Sequence, residues 1–233
     1  MDAIILAAGL GTRLRPYTEK TPKPLLEVRG RPILDWALGA LPAAVDRVLV
    51  VVHYLGEQVE AYLAGQKHVA AHEVVWQHQP RGTGDALRSC RERLRPGQPF
   101  LVLNGDDLYG AADLHALGGC RAGLLVHPVE EPRKFGIVFL RPDGTLERLV
   151  EKPPLDGVRL ANTGAYAFPP DVFDIELKLS ARGEYEITDY VSGLAQRGTV
   201  QVVQTRFWLP IGNVEAWQAA QQVDLAAQLT AVR

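Results

Sequence analysis

Residues 3–25 read AIILAAGLGTRLRPYTEKTPKPL, and this stretch decides the class of fold. Residues 3–8 form an unbroken apolar run, too short to span a membrane and of the right length for a strand buried on both faces. Gly9 and Gly11 end the run. Lacking side chains, they let the backbone approach an anion closely, and successive N–H groups in such a turn can point at phosphate oxygens. Arg13 and Lys23 add positive charge nearby, the first as a planar two-pronged donor to phosphate and the second as a point charge. The same residues also suit a plain strand-to-helix turn with solvated basic side chains. Two familiar phosphate loops are excluded. Leu14 stands where the dinucleotide fingerprint needs its third glycine, and no Gly-Lys followed by Ser or Thr is present for a Walker loop.

Outward from this stretch, apolar runs alternate with helical spacing. Residues 32–41 (PILDWALGAL) carry large apolar side chains at helical intervals behind a proline suited to a first turn. Residues 47–52 (RVLVVV) are β-branched and predict a second buried strand. Residues 55–63 return to helical spacing, a third strand begins at 74–76, residues 85–94 are helix-like and 100–103 (FLVL) predict a fourth strand. Strand and helix in alternation imply a parallel sheet with helices on both faces. The second half changes character: 122–127, 136–140, 146–150 and 162–168 are strand-like, separated by turns such as RPDG and KPP, and continue the sheet in mixed form. Residues 214–229 predict a C-terminal helix. The reading is an α/β fold with a mixed, mostly parallel sheet.

The chain has 233 residues with 47% apolar and 22% charged content, ordinary for a globular protein. A single domain over residues 1–233 is expected. The net charge of −2 gives no bulk attraction to nucleic acid or to an anionic membrane, and neither is expected as a partner. The N-terminus has no basic region ahead of its apolar run, so it reads as a strand rather than a signal peptide. Cys90 and Cys120 form no CxxC and read as buried thiols in a reducing compartment, with the cytoplasm the expected location. The six histidines lack zinc spacing. Nothing in the pattern specifies an oligomeric state.

Two more segments carry chemistry. QHQPRGTGDAL, residues 77–87, holds Gln77, Gly82 and Thr83; it also reads as a glycine turn before a helix. LNGDDLYG, residues 103–110, places Asp106 and Asp107 after an apolar strand, where open α/β sheets bind ligands at carboxyl ends. A hard divalent cation prefers such carboxylates. An Asx-type turn closing the strand also accounts for them.

Taken whole, residues 6–25 resemble the signature GxGTRLxPxTxxxPKPL of the sugar-1-phosphate nucleotidyltransferase family, and the later segments follow in the family's order. The resemblance implies a Rossmann-like nucleotidyltransferase fold, Mg²⁺ as cofactor, and a nucleoside triphosphate and a sugar 1-phosphate as substrates. It implies triphosphate binding by Leu6, Ala7, Ala8, Gly9, Gly11, Thr12 and Arg13, with Arg13 and Lys23 on the phosphates and Asp106 holding the metal. QHQPRGTGDAL is similar to the pyrimidine pocket of the uridylyl and thymidylyl branches, which puts Gln77 and Gly82 on the base edge with Thr83 beside them. A glutamine amide has both donor and acceptor groups to match that edge. UTP or dTTP is therefore the expected triphosphate.

FGIV, VEKP and ANTGAY resemble the sugar-phosphate site and imply Gly136, Glu151 and Asn162 against sugar hydroxyls and Lys152 on the sugar phosphate. EYEITD, residues 184–189, resembles a later segment near the sugar. Each also reads as a hairpin glycine, an ion pair, a turn or a helix start. One departure stands out. The family's W-x-D-x-G metal segment is here WLPIGN, residues 208–213, and Pro210 has no side-chain oxygen where the acid belongs. Either Asn213 or Asp107 is then the second ligand, or Asp106 holds the metal with phosphate and water alone; Asn213 also suits a helix cap. Some family members append a hexapeptide-repeat domain; no such repeat is present in this sequence. Other readings stay open: a guanylyl or cytidylyl donor, a phosphocholine acceptor, or, because of Pro210, a nucleotide-sugar sensor without turnover.

Overall fold

The computed structural model describes residues 1–229; the last four residues of the expected domain lie outside the described residues. β1 (Asp2–Leu6) runs into the glycine loop, followed by three short 3₁₀ turns. Then come the hairpin strands β2 (Glu27–Val28) and β3 (Arg31–Pro32), α1 (Ile33–Gly39), β4 (Arg47–Val52), α2 (Gly56–Leu63), β5 (Ala71–Trp76) and α3 (Thr83–Arg88). β6 (Phe100–Asn104), β7 (Asp107–Tyr109) and α4 (Ala111–Gly118) follow, and then β8 (Gly123–Val129), β9 (Gly136–Leu140), β10 (Leu146–Glu151) and β11 (Arg159–Phe168). The chain closes with α5 (Ile187–Arg197), β12 (Gln201–Gln204), β13 (Trp208–Pro210), α6 (Val214–Ala220) and α7 (Ala226–Leu229).

A nine-stranded sheet runs β10-β9-β11-β6-β1-β4-β5, with β8 paired to β11 and β12 to β8. β6, β1, β4 and β5 are parallel neighbours, and β11 joins β6 antiparallel, as the mixed pattern of the second half predicts. Strand alternation divides the core. Ala3 and Ile5 of β1 face the apolar sides of α1, α2 and α4, while Ile4 faces those of α3 and α5. Both cysteines are buried thiols, and burial pushes Cys90 up to about 12.

Two helices differ from expectation. The helix expected over 85–94 is the short α3, because the Ser89 hydroxyl takes the Ala86 carbonyl (2.6 Å) and the chain tightens into a 3₁₀ turn at Arg91–Arg93. The helix expected over 214–229 breaks between α6 and α7. Ala220 and Leu225 are both buried in one core, yet on a continuous helix they would point about 140° apart. Gln221, at the break, donates to Glu27 O (2.9 Å) and accepts from Arg29 N (2.8 Å), tying the hairpin to the C-terminal region. β2, β3, β7, α4, β12 and β13 were not anticipated, and α5 begins within EYEITD, where a helix start was one reading.

Asp2, 2% exposed, anchors the amino end of the sheet. Its carboxylate accepts from Arg47 Nε (3.0 Å) and Nη2 (2.6 Å) and from Arg95 N (3.0 Å). Burial alone would raise its pKa; the bonds to Arg47 and the Arg95 N–H outweigh burial and hold it below the ordinary range. A carboxyl depressed in the folded state contributes stability above its unfolded pKa and loses it as pH falls through the folded value. Asp2→Ala should therefore cost about 1.5–3 kcal/mol at neutral pH. Urea titrations of both proteins should show that difference shrinking below about pH 4; a constant difference down to pH 2 would refute the assignment.

Candidate active site

The carboxyl ends of β1, β5 and β6 surround a cleft of about 600 Å³. Of the residues expected to bind nucleotide, Leu6, Ala7, Ala8, Gly9, Gly11, Thr12, Lys23, Gln77, Gly82 and Thr83 line it, together with Asp106. Arg13 does not; its guanidinium is exposed beside Gly212, near the WLPIGN segment, with no carboxylate partner among the described residues. The glycine loop is held from beneath: the buried Thr18 hydroxyl donates to Gly11 O (2.7 Å), a contact that the threonine of the quoted stretch supplies.

Lys23 is 7% exposed and donates from Nζ to Asp106 Oδ2 at 2.5 Å. The two side chains are 83 residues apart in sequence and meet at the edge of the cleft. Asp106 keeps its other oxygen free of hydrogen bonds among the described residues, and its side chain is 41% exposed. Asp107 points the other way. It is buried, and its Oδ2 accepts from the Trp208 indole (3.3 Å) and the Tyr109 hydroxyl (3.4 Å). Burial, reinforced by the Asp106 charge, raises its pKa against the pull of Lys23 and the Trp208 N–H. β7 and β13 pair antiparallel with Pro210 opposite Asp107, so the residue lacking an oxygen faces the buried acid. Asn213 Oδ1 caps α6 by accepting from Ala216 N (2.9 Å). Of the three polar side chains considered for a metal, only Asp106 presents a free oxygen to the cleft. No group of three His, Cys, Asp or Glu side chains among the described residues is arranged to hold a metal alone. That donor set fits Mg²⁺, which keeps several waters and is bound through one or two carboxylates plus substrate phosphates.

Gln77 follows β5 and is 5% exposed. Its Nε2 donates to Gly82 O and to Asp85 Oδ2, both at 3.2 Å. Gly82 has φ +101° and no room for a side chain, because a Cβ would run into the Tyr185 carbonyl. EYEITD, expected near the sugar, packs here against the loop at residues 81–84: Gly84 N donates to Tyr185 O (2.8 Å), Tyr185 N to Arg81 O (2.7 Å) and Ile187 N to Thr83 Oγ1 (3.1 Å). Glu184 thereby lines the cleft. Only its position within the EYEITD string could have flagged it.

The expected sugar-side residues lie on β9, β10, the turn after it and β11. Gly136 pairs with Glu151, and a Cβ on Gly136 would stand 3.0 Å from Glu151 Oε2 and 3.9 Å from Asn162 Cβ. Lys152 is exposed, with Nζ 3.7 Å from Glu151 Oε1. Asn162 donates to the Tyr166 hydroxyl (2.8 Å) and accepts from Gly164 N (3.2 Å), so part of its capacity is spent internally. These four residues form a group outside the lining of the main cleft. The register of β11 shifts between Asn162 and Tyr166, and Gly164, at φ +81°, leaves space there for the Asn104 amide. Asn104, at the end of β6, borders the cleft, so Gly164 links the two regions.

The profile of the nucleotidyl transferase family matches residues 2–226. The chain belongs to that family. It is 33% identical over 216 residues to the bifunctional protein GlmU of Methanocaldococcus jannaschii, covering 91% of this chain and 52% of that protein. It is 33% identical over 224 residues to mannose-1-phosphate guanyltransferase beta-A of Xenopus laevis, covering 91% of this chain and 61% of that one. The chain thus spans about half the length of the curated relatives it matches. Among solved structures it is similar to a UDP-glucose pyrophosphorylase complexed with UDP-glucose, with a TM-score of 0.83, 25% identity and coverage of 94% of this chain and 96% of that one. The likeness confirms the Rossmann-like nucleotidyltransferase fold, with its mixed, mostly parallel central sheet.

Gly164→Ala combines a positive-φ strain with displacement of the Asn104 amide. It should destabilise the fold by more than about 1 kcal/mol. Thermal unfolding measures this, and an unchanged midpoint would contradict the packing described.

Proposed function

We propose that the protein transfers a nucleotidyl group from a nucleoside triphosphate to a sugar 1-phosphate, releasing pyrophosphate. The observation that carries this reading is the Lys23–Asp106 pair at the mouth of a glycine-lined cleft: a cation for phosphate beside a carboxylate with one free oxygen. An oxygen of the sugar phosphate attacks the α-phosphorus in line. A new P–O bond forms, the bond to the bridging oxygen of the β-phosphate breaks, and pyrophosphate leaves with that electron pair. The nucleophile is already ionised near neutral pH, so catalysis rests on positioning and charge neutralisation.

Within this reading, Gly9, Gly11 and Thr12 cradle the triphosphate through backbone N–H groups. Lys23 exchanges its contact with Asp106 for the departing pyrophosphate, and Arg13 swings in from beside Gly212. Mg²⁺, held by Asp106 and phosphate oxygens, would neutralise charge on the triphosphate. Lys152 receives the incoming sugar phosphate, while Gly136, Glu151 and Asn162 contact its hydroxyls.

The base is read by Gln77 and by the backbone of Gly82. We assign UTP or dTTP as the donor, on the amide of Gln77 and the narrow turn at Gly82. The relative named a guanyltransferase supports GTP as the second reading.

Asp106→Asn should lower kcat by roughly two decades or more, since metal-assisted charge stabilisation is worth several kcal/mol. Pyrophosphate release across a Mg²⁺ titration measures it, and full turnover at saturating Mg²⁺ would remove Asp106 from the site. Among UTP, dTTP, CTP, ATP and GTP offered with a panel of sugar 1-phosphates, UTP or dTTP should have the highest kcat/KM. A leading GTP would overturn the pyrimidine assignment, and no pyrophosphate release with any pair would overturn the enzyme reading.

A further inference from the structure

A glutamine amide presents an oxygen that accepts and an NH₂ that donates, and a half-turn of its last torsion exchanges them. Which group faces the cleft therefore decides which base edge Gln77 can meet. In this structure the choice is made by its neighbours. Nε2 lies 3.2 Å from Gly82 O and 3.2 Å from Asp85 Oδ2, and both are acceptors with no proton to offer. An exchanged amide would set Oε1 against a carbonyl and a carboxylate at once. The NH₂ is thus turned inward, and Oε1, with no hydrogen-bond partner among the described residues, is left for the cleft that Gln77 lines.

The two acceptors are not equal. Gly82 O is shared with Ala86 N (3.1 Å) in the first turn of α3. Asp85 is a carboxylate, and bonds to an ionised acceptor are about twice as strong as neutral ones. Its side chain is 17% exposed, and its second oxygen accepts from Arg88 Nη2 at 2.6 Å. The Arg88 guanidinium lies over the Tyr185 ring, on the EYEITD segment that closes the base loop. A chain of contacts therefore runs from the surface through Arg88 and Asp85 to the Gln77 amide.

We propose that Asp85 is the positioning residue for base selection: it fixes the Gln77 amide with its oxygen toward the cleft, so that the site takes bases carrying a ring N–H and rejects bases carrying a bare ring nitrogen. This rests on the reading of the cleft as a triphosphate site with Gln77 at the base. It does not depend on the choice between pyrimidine and guanine. Uracil and thymine at N3 and guanine at N1 each offer a donor to a fixed acceptor. Cytosine at N3 and adenine at N1 offer lone pairs, which would face the Gln77 oxygen and leave both unpaired. Asp85 itself need not touch the base.

The test is direct binding, which requires no knowledge of the sugar. Dissociation constants of UTP, CTP, GTP, ATP and inorganic tripolyphosphate, each with Mg²⁺, are measured by calorimetry on the unaltered protein, Asp85→Asn, Asp85→Ala and Arg88→Ala. The unaltered protein should favour UTP over CTP, and GTP over ATP, by about tenfold or more. Asp85→Asn can offer an NH₂ in place of an acceptor, and Asp85→Ala offers nothing. In both, the UTP:CTP and GTP:ATP ratios should fall about tenfold while tripolyphosphate binding changes less than about twofold. Arg88→Ala should move the ratios in the same direction by less. Ratios that hold at their unaltered values in folded Asp85→Asn and Asp85→Ala would overturn the proposal. So would an equal weakening of all five ligands, which marks a merely structural role. A preference for GTP over UTP with the ratios still sensitive to Asp85 would sink the pyrimidine reading alone. No binding of tripolyphosphate or of any triphosphate by the unaltered protein would sink the triphosphate reading and this proposal with it.

Discussion

The cleft depends on β1 being paired in parallel on both edges. Leu6 stands level with Val51 of β4 and Asn104 of β6, and β5 continues the parallel set, so the loops leaving these strands emerge at one end of the sheet. The glycine loop, Gln77 and Asp106 come together for that reason and for no local one. The burial of Ile4 and Ile5 on opposite faces secures the register, since a slip of one residue would turn both against the wrong helices. Asp2, held by Arg47 and Arg95, fixes the opposite end of the same strand.

The adjacent acids show how one residue of displacement separates two environments. Asp106 lies in the turn after β6 and meets Lys23 at the cleft edge. Asp107 begins β7, and its pairing with β13 carries it into the interior beneath Trp208. Pro210, directly opposite Asp107, has neither a side-chain oxygen nor a backbone N–H. The buried acid instead accepts from the Trp208 indole (3.3 Å), with the Tyr109 hydroxyl 3.4 Å away; the nearer acceptor for that hydroxyl is Thr163 O (3.0 Å) on β11. In the same way the turn at Gly82 takes its shape from a partner far along the chain, the Tyr185 backbone, which leaves no space for a side chain there.

Much of the parallel half was legible because its signals are local. RVLVVV is a strand wherever it is placed, and β4 has the bounds its pattern predicts. The same holds for GIVFL and β9. The short ribbon of β7 and β13 was invisible: three-residue strands carry no periodicity, and each exists only because the other is beside it. The end of α3 and the break before α7 were misjudged for a related reason. One depends on the Ser89 hydroxyl competing for a helix carbonyl, the other on the need to bury Ala220 and Leu225 together.

The sequence by itself determined the strand ahead of the glycine loop, the acids at the end of β6, the family, and the roster of residues near the cleft. The strand and the acids follow from spacing within short windows, and the family and the roster follow from the resemblance those windows carry, all of which the chain holds without folding. The tertiary structure alone decided which oxygen is available. It turned Asp106 toward Lys23 and Asp107 away from the cleft, committed Asn213 to a helix cap, left Arg13 outside the cleft, and brought EYEITD against the turn at Gly82. It also oriented the Gln77 amide through Asp85, eight residues on. Side-chain direction is set by packing and by partners across the sheet, and a linear pattern contains the residues of such a pairing without containing the pairing.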